Sequence, residues 1–410
     1  MGRQGIVFGI CMSAFVTLPA HAVNPVFQEF FFGVCANPTG ALAERCSETP
    51  SSAGDLSGDS ESSLNPSQTL SATDGALAEA RSRSKEARER VERYRDDDEI
   101  DLSRVSLGPL SLLLHGRFEW EERDRRVDVD AERGFEAERR AIEIGLDRRF
   151  SDSFVAGLIY AFEDGDLDFD AEAPGIAFTP ASDAGSVARE AHAVTVFGVL
   201  WLTEQAYLEA NAGYAASDYV LTRNAVFQET TRNVPQTNVR TRATTDGDQL
   251  WLGLTAGYGW SPGASSYGVY AGAAYSESSI DGYREREATG SGLALVVDGV
   301  ERQAFTAHLG FRAQRAISTT RGVWMPQLRI EYEHAGGVDE SEAAVRFALD
   351  GNGNRFELSG DDGEDGYFNV AVGVAAVFPN GWTSFADVES LAGAGDREQY
   401  RFTVGIRKEL

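Results

Sequence analysis

From Leu110 onward, apolar side chains recur at every second position through a series of short stretches. In "LSLLLHGRFEW", Leu112, Leu114, Phe118 and Trp120 share one face and Leu113, His115, Arg117 and Glu119 the other; in "AIEIGLDRRF", Ile142, Ile144, Leu146 and Phe150 oppose Glu143, Gly145, Asp147 and Arg149. Period two is the mark of a strand with one apolar face. It returns in "SFVAGLIYAF", "HAVTVFGVLWL", "AYLEANAGYAA", "DQLWLGLTAGYGW", "SYGVYAGAAYS", "QAFTAHLGFRAQ", "WMPQLRIEYEH", "YFNVAVGVAAVF" and "GWTSFADVESL". It also governs the closing "QYRFTVGIRKEL", where Tyr400, Phe402, Val404, Ile406 and Leu410 fall on one set of alternate positions. The pattern predicts about twelve strands, each near the roughly 9–11 residues that cross a bilayer when tilted.

The connections alternate in length. Short turns "SDS", "TEQ", "SPGASS", "STTRG" and "PNG" interleave with long acidic loops such as "EERDRRVDVDAERGFEAE" and "GVDESEAAVRFALDGNGNRFELSGDDGEDG". An even strand number, with short turns at one end and long polar loops at the other, predicts an outer-membrane barrel; a soluble sandwich has little reason to segregate loop lengths. Phe150, Phe154, Trp260, Tyr267, Phe378 and Trp382 gather near the short turns, as an interfacial girdle requires. The fold class is therefore all-β, an antiparallel transmembrane β-barrel of about twelve strands over residues 105–410.

The 410 residues carry a net charge of −27. An acidic surface repels phosphate backbones, which excludes nucleic acid as a partner. At the N-terminus, Arg3, the apolar run "GIVFGICMSAFVTL" and "AHA" at 20–22 read as an export signal over residues 1–22. Cys35 and Cys46 are a candidate disulfide in an exported segment, and zinc finds no histidine or further cysteine near them. Residues 23–73, rich in Ser, Asp, Gly, Pro and Thr, read as a short disordered passenger or linker with little to bury. From 74 to 96 the composition switches to helix formers without proline, supported by the i,i+4 pairs Glu79/Arg83, Lys85/Glu89, Glu86/Arg90 and Glu89/Arg93. Its apolar stripe of Leu77, Ala80, Ala87, Val91 and Tyr94 is thin.

The stretches "NAGYAASDYVLTR", "WMPQLRIEYEH", "FPNGWTSFADVE" and "YRFTVGIRKEL", in that order and spacing, make residues 110–410 resemble the C-terminal translocator barrel of type V autotransporters. The resemblance implies a twelve-stranded barrel that lets a preceding passenger cross the outer membrane, with an α-helix inside the pore. By position, residues 74–96 are that helix. If the apolar strand faces meet lipid, period two turns Glu119, Glu143, Asp147, Glu209, Glu331, Glu333, Asp387 and Glu389 into the lumen, beside Arg117 and Arg329. An acidic interior wants a basic partner, and Arg81, Arg83, Arg88, Arg90, Arg93 and Arg95 ring the helix, so a plugged pore is expected.

Two features depart from the family pattern. Its barrels commonly close on an aromatic residue read by the barrel assembly machinery, whereas Leu410 stands here, which implies weaker recognition or a larger share carried by Phe402. Between residue 23 and the helix there are also too few residues for a stacked β-helix passenger. Either the passenger is a vestigial surface peptide, or the chain is a shortened form, or the barrel itself is the functional object.

Other motifs are weak. "SGDSES" lacks His and Asp partners in a folded context. "DGNGNRFELSGD" places Asp350, Asn352, Asn354 and Asp361 near calcium-loop spacing, but Arg355 stands where glycine is needed. No cofactor, metal or catalytic centre is assembled by these patterns. The expected partners are outer-membrane lipid and lipopolysaccharide, the assembly machinery and no second subunit. Two function classes remain: a secretion module, and an outer-membrane pore or adhesin that works through its long loops with the helix as a plug.

Overall fold

The computed structural model describes residues 25–66, 68–99, 110–124, 133–172, 178–229, 235–336, 342–359, 366–379, 381–395 and 397–409; for 90–99 it describes the helical backbone alone. The expected export signal, Leu410 and the side chains of Arg90, Arg93 and Arg95 lie outside the described residues.

Among those residues, twelve long strands close a barrel: β1 (Leu110–Arg123), β2 (Phe135–Ser151), β3 (Phe154–Phe169), β4 (Gly185–Trp201), β5 (Ala206–Phe227), β6 (Thr237–Trp260), β7 (Ser265–Ile280), β8 (Val300–Arg315), β9 (Gly322–Gly336), β10 (Gly366–Phe378), β11 (Trp382–Ala392) and β12 (Arg397–Glu409). Each pairs antiparallel with the next, and β1 pairs with β12 from Ser111 opposite Glu409 to Arg123 opposite Arg397. Closure leaves no open edge of backbone donors and acceptors, a condition for a sheet in hydrocarbon. No helix among the described residues is long and apolar enough to cross a membrane.

Burial alternates along most of the strand length, most regularly on β2 and β6, with the large apolar side chains outside: Leu254 and Ile142 are each 59 % exposed and Val404 60 %. Such a surface needs lipid as its solvent. The band has marked limits. At the short-turn end rings meet in Phe150–Phe154 and Trp260–Tyr267, both 5.8 Å between centroids, and Lys408 sits 5.5 Å from the Trp382 ring. Toward the long loops, the outward positions change on β3 from Tyr160 and Phe162 to Asp164, Asp166 and Asp168, and on β6 from Leu250 to Asp248 and Asp246. From Phe154 to Phe162 the strand covers about 26 Å, or about 20 Å along the membrane normal at a tilt of about 40°, close to the usual apolar height.

Residues 23–73 do not behave as a disordered tail. The described part folds into α1 (Pro25–Cys35), α2 (Ala41–Glu48) and α3 (Gly58–Leu64), and Cys35 is bonded to Cys46. These helices sit at the long-loop end on a four-stranded sheet built from the loops, Phe356–Ser359, Glu342–Phe347, Leu295–Val297 and Tyr283–Arg284. The composition test assumes that a segment must bury itself. Here most of the apolar surface comes from elsewhere in the chain: Phe27 and Phe30 lie 5.1 and 5.7 Å from the rings of Phe356 and Phe347, within a cluster that also holds Leu42, Leu64, Phe227 and Leu293. α3 is pinned by the Ser57 and Ser60 hydroxyls, which donate to the Gln228 carbonyl at 3.1 and 2.9 Å. The Ser57 amide donates to the carboxylate of fully buried Glu229 at 3.1 Å, and burial pushes that carboxyl above its usual range.

The long helix α4 (Gln68–Glu99) also begins earlier than the predicted 74 and ends later than 96. Gly75 inside a helix costs about 1 kcal/mol relative to alanine. Packing overrides it, because Leu70 joins the cap cluster and Ala72 the cluster of Phe135 and Phe169 at the long-loop ends of β2 and β3.

Leu254 lies midway in the apolar band, so Leu254→Arg is expected to destabilise the folded barrel by about 2–4 kcal/mol. Urea titration of the protein in lipid vesicles measures it; a shift below about 1 kcal/mol contradicts the lipid-facing assignment.

Candidate functional site

α4 lies inside the barrel and leans on β4 to β8. Small residues make this approach possible. Ala80 packs with Ala161, Ala193, Ala215 and Trp251, and further down Ala87 packs with Val155, Ile159, Phe197, Val199 and Tyr207. At Gly253 a Cβ would lie 2.6 Å from the Ser84 hydroxyl, so the wall needs glycine there. The described part of the helix's thin apolar stripe, at Ala80 and Ala87, is thus its seam against the wall. Ala72 sits at the long-loop ends of the strands and Ala87 at their short-turn ends, which sets the direction of the chain in the lumen.

The rest of the helix surface is matched by charge. Arg83 donates from Nε to Glu163 at 2.9 Å, also bonds Gln249, and lies 5.1 Å over the Trp251 ring. Lys85 pairs with Glu389 at 2.5 Å. Arg88 donates to both oxygens of Glu331, at 2.8 and 2.7 Å, and to a ring nitrogen of His308 at 3.0 Å. The acids of the helix find wall cations: Glu79 meets Arg139 at 3.4 Å and also Arg189, Glu86 meets Arg117, and Glu89 meets Arg329 at 2.6 Å. A second layer ties the wall to itself. Arg401 bridges Glu119 and Glu389 at 3.0 and 3.2 Å, and Arg139 bridges Glu119 and Glu121 at 2.8 and 2.6 Å. The pairs are nine-tenths or more buried, apart from Arg329, and there a charge left without its partner is costly.

All eight predicted acids point into the lumen. Glu119, Glu331 and Glu389 join the network; Glu143 lies beside His115; Asp147 accepts from Ser111, Glu209 from Asn211 at 2.9 Å and Glu333 from Tyr367 at 2.8 Å. Asp387 lines a cavity with Glu89, Arg312 and Arg329. Of the predicted arginines, Arg83 and Arg88 reach carboxylates, whereas Arg81 lies toward Tyr367. The expectation of a basic helix in an acidic lumen needs correction, because both surfaces are mixed and three helix glutamates face wall arginines. Arg139, Arg189 and Glu163 lie beyond the stretches whose alternation was read. Continuing period two by a few residues in "FEAERRAIEIG" and "AFEDGD" places Arg139 and Glu163 inward.

The calcium-like spacing resolves into a turn. Asp350 accepts from the Asn352 amide at 2.9 Å and the Asn354 side chain at 3.0 Å, while Asp361 lies outside the described residues. On β12, Tyr400 and Phe402 point outward and meet Trp120 and Phe118 across the closing seam, at 6.0 and 6.4 Å; Val404 and Ile406 continue this lipid face.

A closed barrel with an apolar belt, holding in its pore the helix that precedes its first strand, has the architecture of an outer-membrane barrel. The family model for the autotransporter beta-domain matches residues 120–389, and the chain belongs to that family. It is thus a barrel of the outer membrane that secretes an N-terminal passenger. Among solved structures it is similar in fold to the translocator domain of the autotransporter NalP from Neisseria meningitidis, at 11 % identity and a TM-score of 0.58, over 84 % of this chain and 100 % of that one. The beta domain of the Bordetella autotransporter BrkA aligns at 16 % identity and a TM-score of 0.47, over 74 % of this chain and 100 % of that one. A search of the curated proteins found no match.

Glu331→Gln strands the Arg88 guanidinium in the lumen and is expected to cost about 3–5 kcal/mol in urea unfolding, whereas replacing Arg88 and Glu331 together by methionine recovers most of that loss. Equal losses in the single and double variants would show that the pair does not act as a charge match.

Proposed function

We propose that residues 25–66 are a segment this barrel carries to the cell surface, and that they remain there as a cap over the long-loop mouth, tethered through α4. The observation that supports this is the course of the chain. It runs from the cap, through the lumen as α4 and on toward the short-turn end where β1 begins. Short turns face the periplasm in barrels of this kind, so the cap and the long loops lie outside. The second reading, a pore or adhesin that works through its long loops with the helix as a plug, is disfavoured by membership of the autotransporter beta-domain family.

Tyr400, Phe402, Val404 and Ile406 meet outer-membrane lipid and form the strand that the barrel assembly machinery reads. The acidic long-loop rim meets lipopolysaccharide, the barrel works as a monomer, and its role is transport without catalysis.

A peptide tag inserted after residue 24 is expected to be removed by protease added to intact cells, leaving the barrel intact. A tag that resists until the outer membrane is permeabilised contradicts surface display.

A further inference from the structure

We propose that the lumen holds a binding site for one divalent transition-metal ion, zinc being the best fit, formed by Glu86 of α4, His115 of β1 and Glu143 of β2. His115 and Glu143 are directly opposed across the β1–β2 ladder on the lumen face, and α4 brings Glu86 down onto them. One donor atom from each residue lies within 4.8 Å of the other two. The three residues are 7 %, 4 % and 2 % exposed.

Two observations point to a cation. First, His115 is buried and neither ring nitrogen makes a well-aligned hydrogen bond; Nε2 faces the Glu143 carboxylate at 3.3 Å, long for such a bond, and Nδ1 makes none. Its ring is held in place: Phe385 stands edge-on at 6.3 Å, and Gly405 leaves the space that both rings occupy, since a Cβ there would come within 2.7 Å of the His115 Cβ. Second, two carboxylates converge in a buried place, and like charges so close are relieved either by a cation or by a proton held between them. Arg117 supplies part of it to Glu86 but is shared with Glu163. A dication with a neutral imidazole balances Glu86 and Glu143.

The geometry suits a small tetrahedral ion. Zinc bonds to nitrogen and oxygen of about 2.0–2.1 Å put two ligands about 3.3 Å apart. The His115 Nε2 lies 3.3 Å from the Glu143 Oε2. The Glu86 carboxylate, with a donor atom within 4.8 Å of the other two, would draw in to fill the third position, and water would take the fourth, the usual arrangement when a protein supplies three ligands. Mixed imidazole and carboxylate donors favour zinc over calcium or magnesium, which prefer all-oxygen sites. Because β1 pairs with β12, the ion would fasten the plug to the strand at the closing seam.

The test uses the full folded protein in detergent, stripped with a chelator and titrated with zinc by calorimetry and with cobalt by its visible ligand-field absorption. One equivalent is expected to bind, and His115→Ala or Glu86→Gln should each weaken binding by at least about 10–100-fold, the loss seen even for outer-shell partners. Glu333→Gln, which changes a lumen carboxylate outside the site, should leave affinity unchanged. Heat-modifiable migration confirms that every variant remains a closed barrel. Absence of a stoichiometric site in the folded wild type overturns the proposal, as does wild-type affinity in His115→Ala; a protonated His115 serving as the only cation between the carboxylates gives the first of these results.

Discussion

A barrel wall lined with ionised side chains must be matched, charge by charge, by whatever fills it, and the rest of the structure depends on this constraint. The lipid face is set by period two and the hydrocarbon around it, which leaves the polar alternates of every strand pointing inward. α4 answers them with alternating signs: Arg83, Lys85 and Arg88 to wall carboxylates, Glu79, Glu86 and Glu89 to wall arginines. Ion pairs of this burial add little net stability over well-packed apolar residues, but they penalise a helix rotated or shifted out of register, since each misplacement strands several charges. The network therefore specifies where the helix stops.

Packing makes the match possible. Ala80 and Ala87 on the helix, Ala161, Ala193, Ala215 and Gly253 on the wall, bring backbones close along one side and leave the long side chains of the other sides room to pair. The cap works by the same economy of apolar surface: three short helices fold because the loop sheet provides Phe347, Phe356 and Leu295. Transport and anchoring are thereby linked through one chain, from cap to helix to first strand.

Much of this was legible in the sequence. Each of the twelve quoted stretches marks one barrel strand among the described residues, the inward and outward assignment of Leu112 to Trp120 holds residue by residue, and the aromatics near the short turns form the girdle. These follow from local periodicity, which lipid enforces. What was not legible depends on partners distant in sequence. Nothing local to Phe27 or Leu42 announces Phe356 or Leu293, so the cap read as disorder. The helix start at Gln68 was hidden by Gly75 until tertiary contacts of Leu70 and Ala72 offset it. The wall arginines at 139 and 189 lay where the apolar alternation fades into the acidic rim, because inward polar positions there are no longer framed by outward leucines and valines.

The central claim is that α4 fills the pore and is held there by charge. Single-channel recording in planar bilayers tests it most directly, comparing the folded chain with one lacking residues 25–99. A closed or weakly conducting full chain and a large, steady conductance in the shortened barrel are the predicted result; equal conductance in the two would contradict the account.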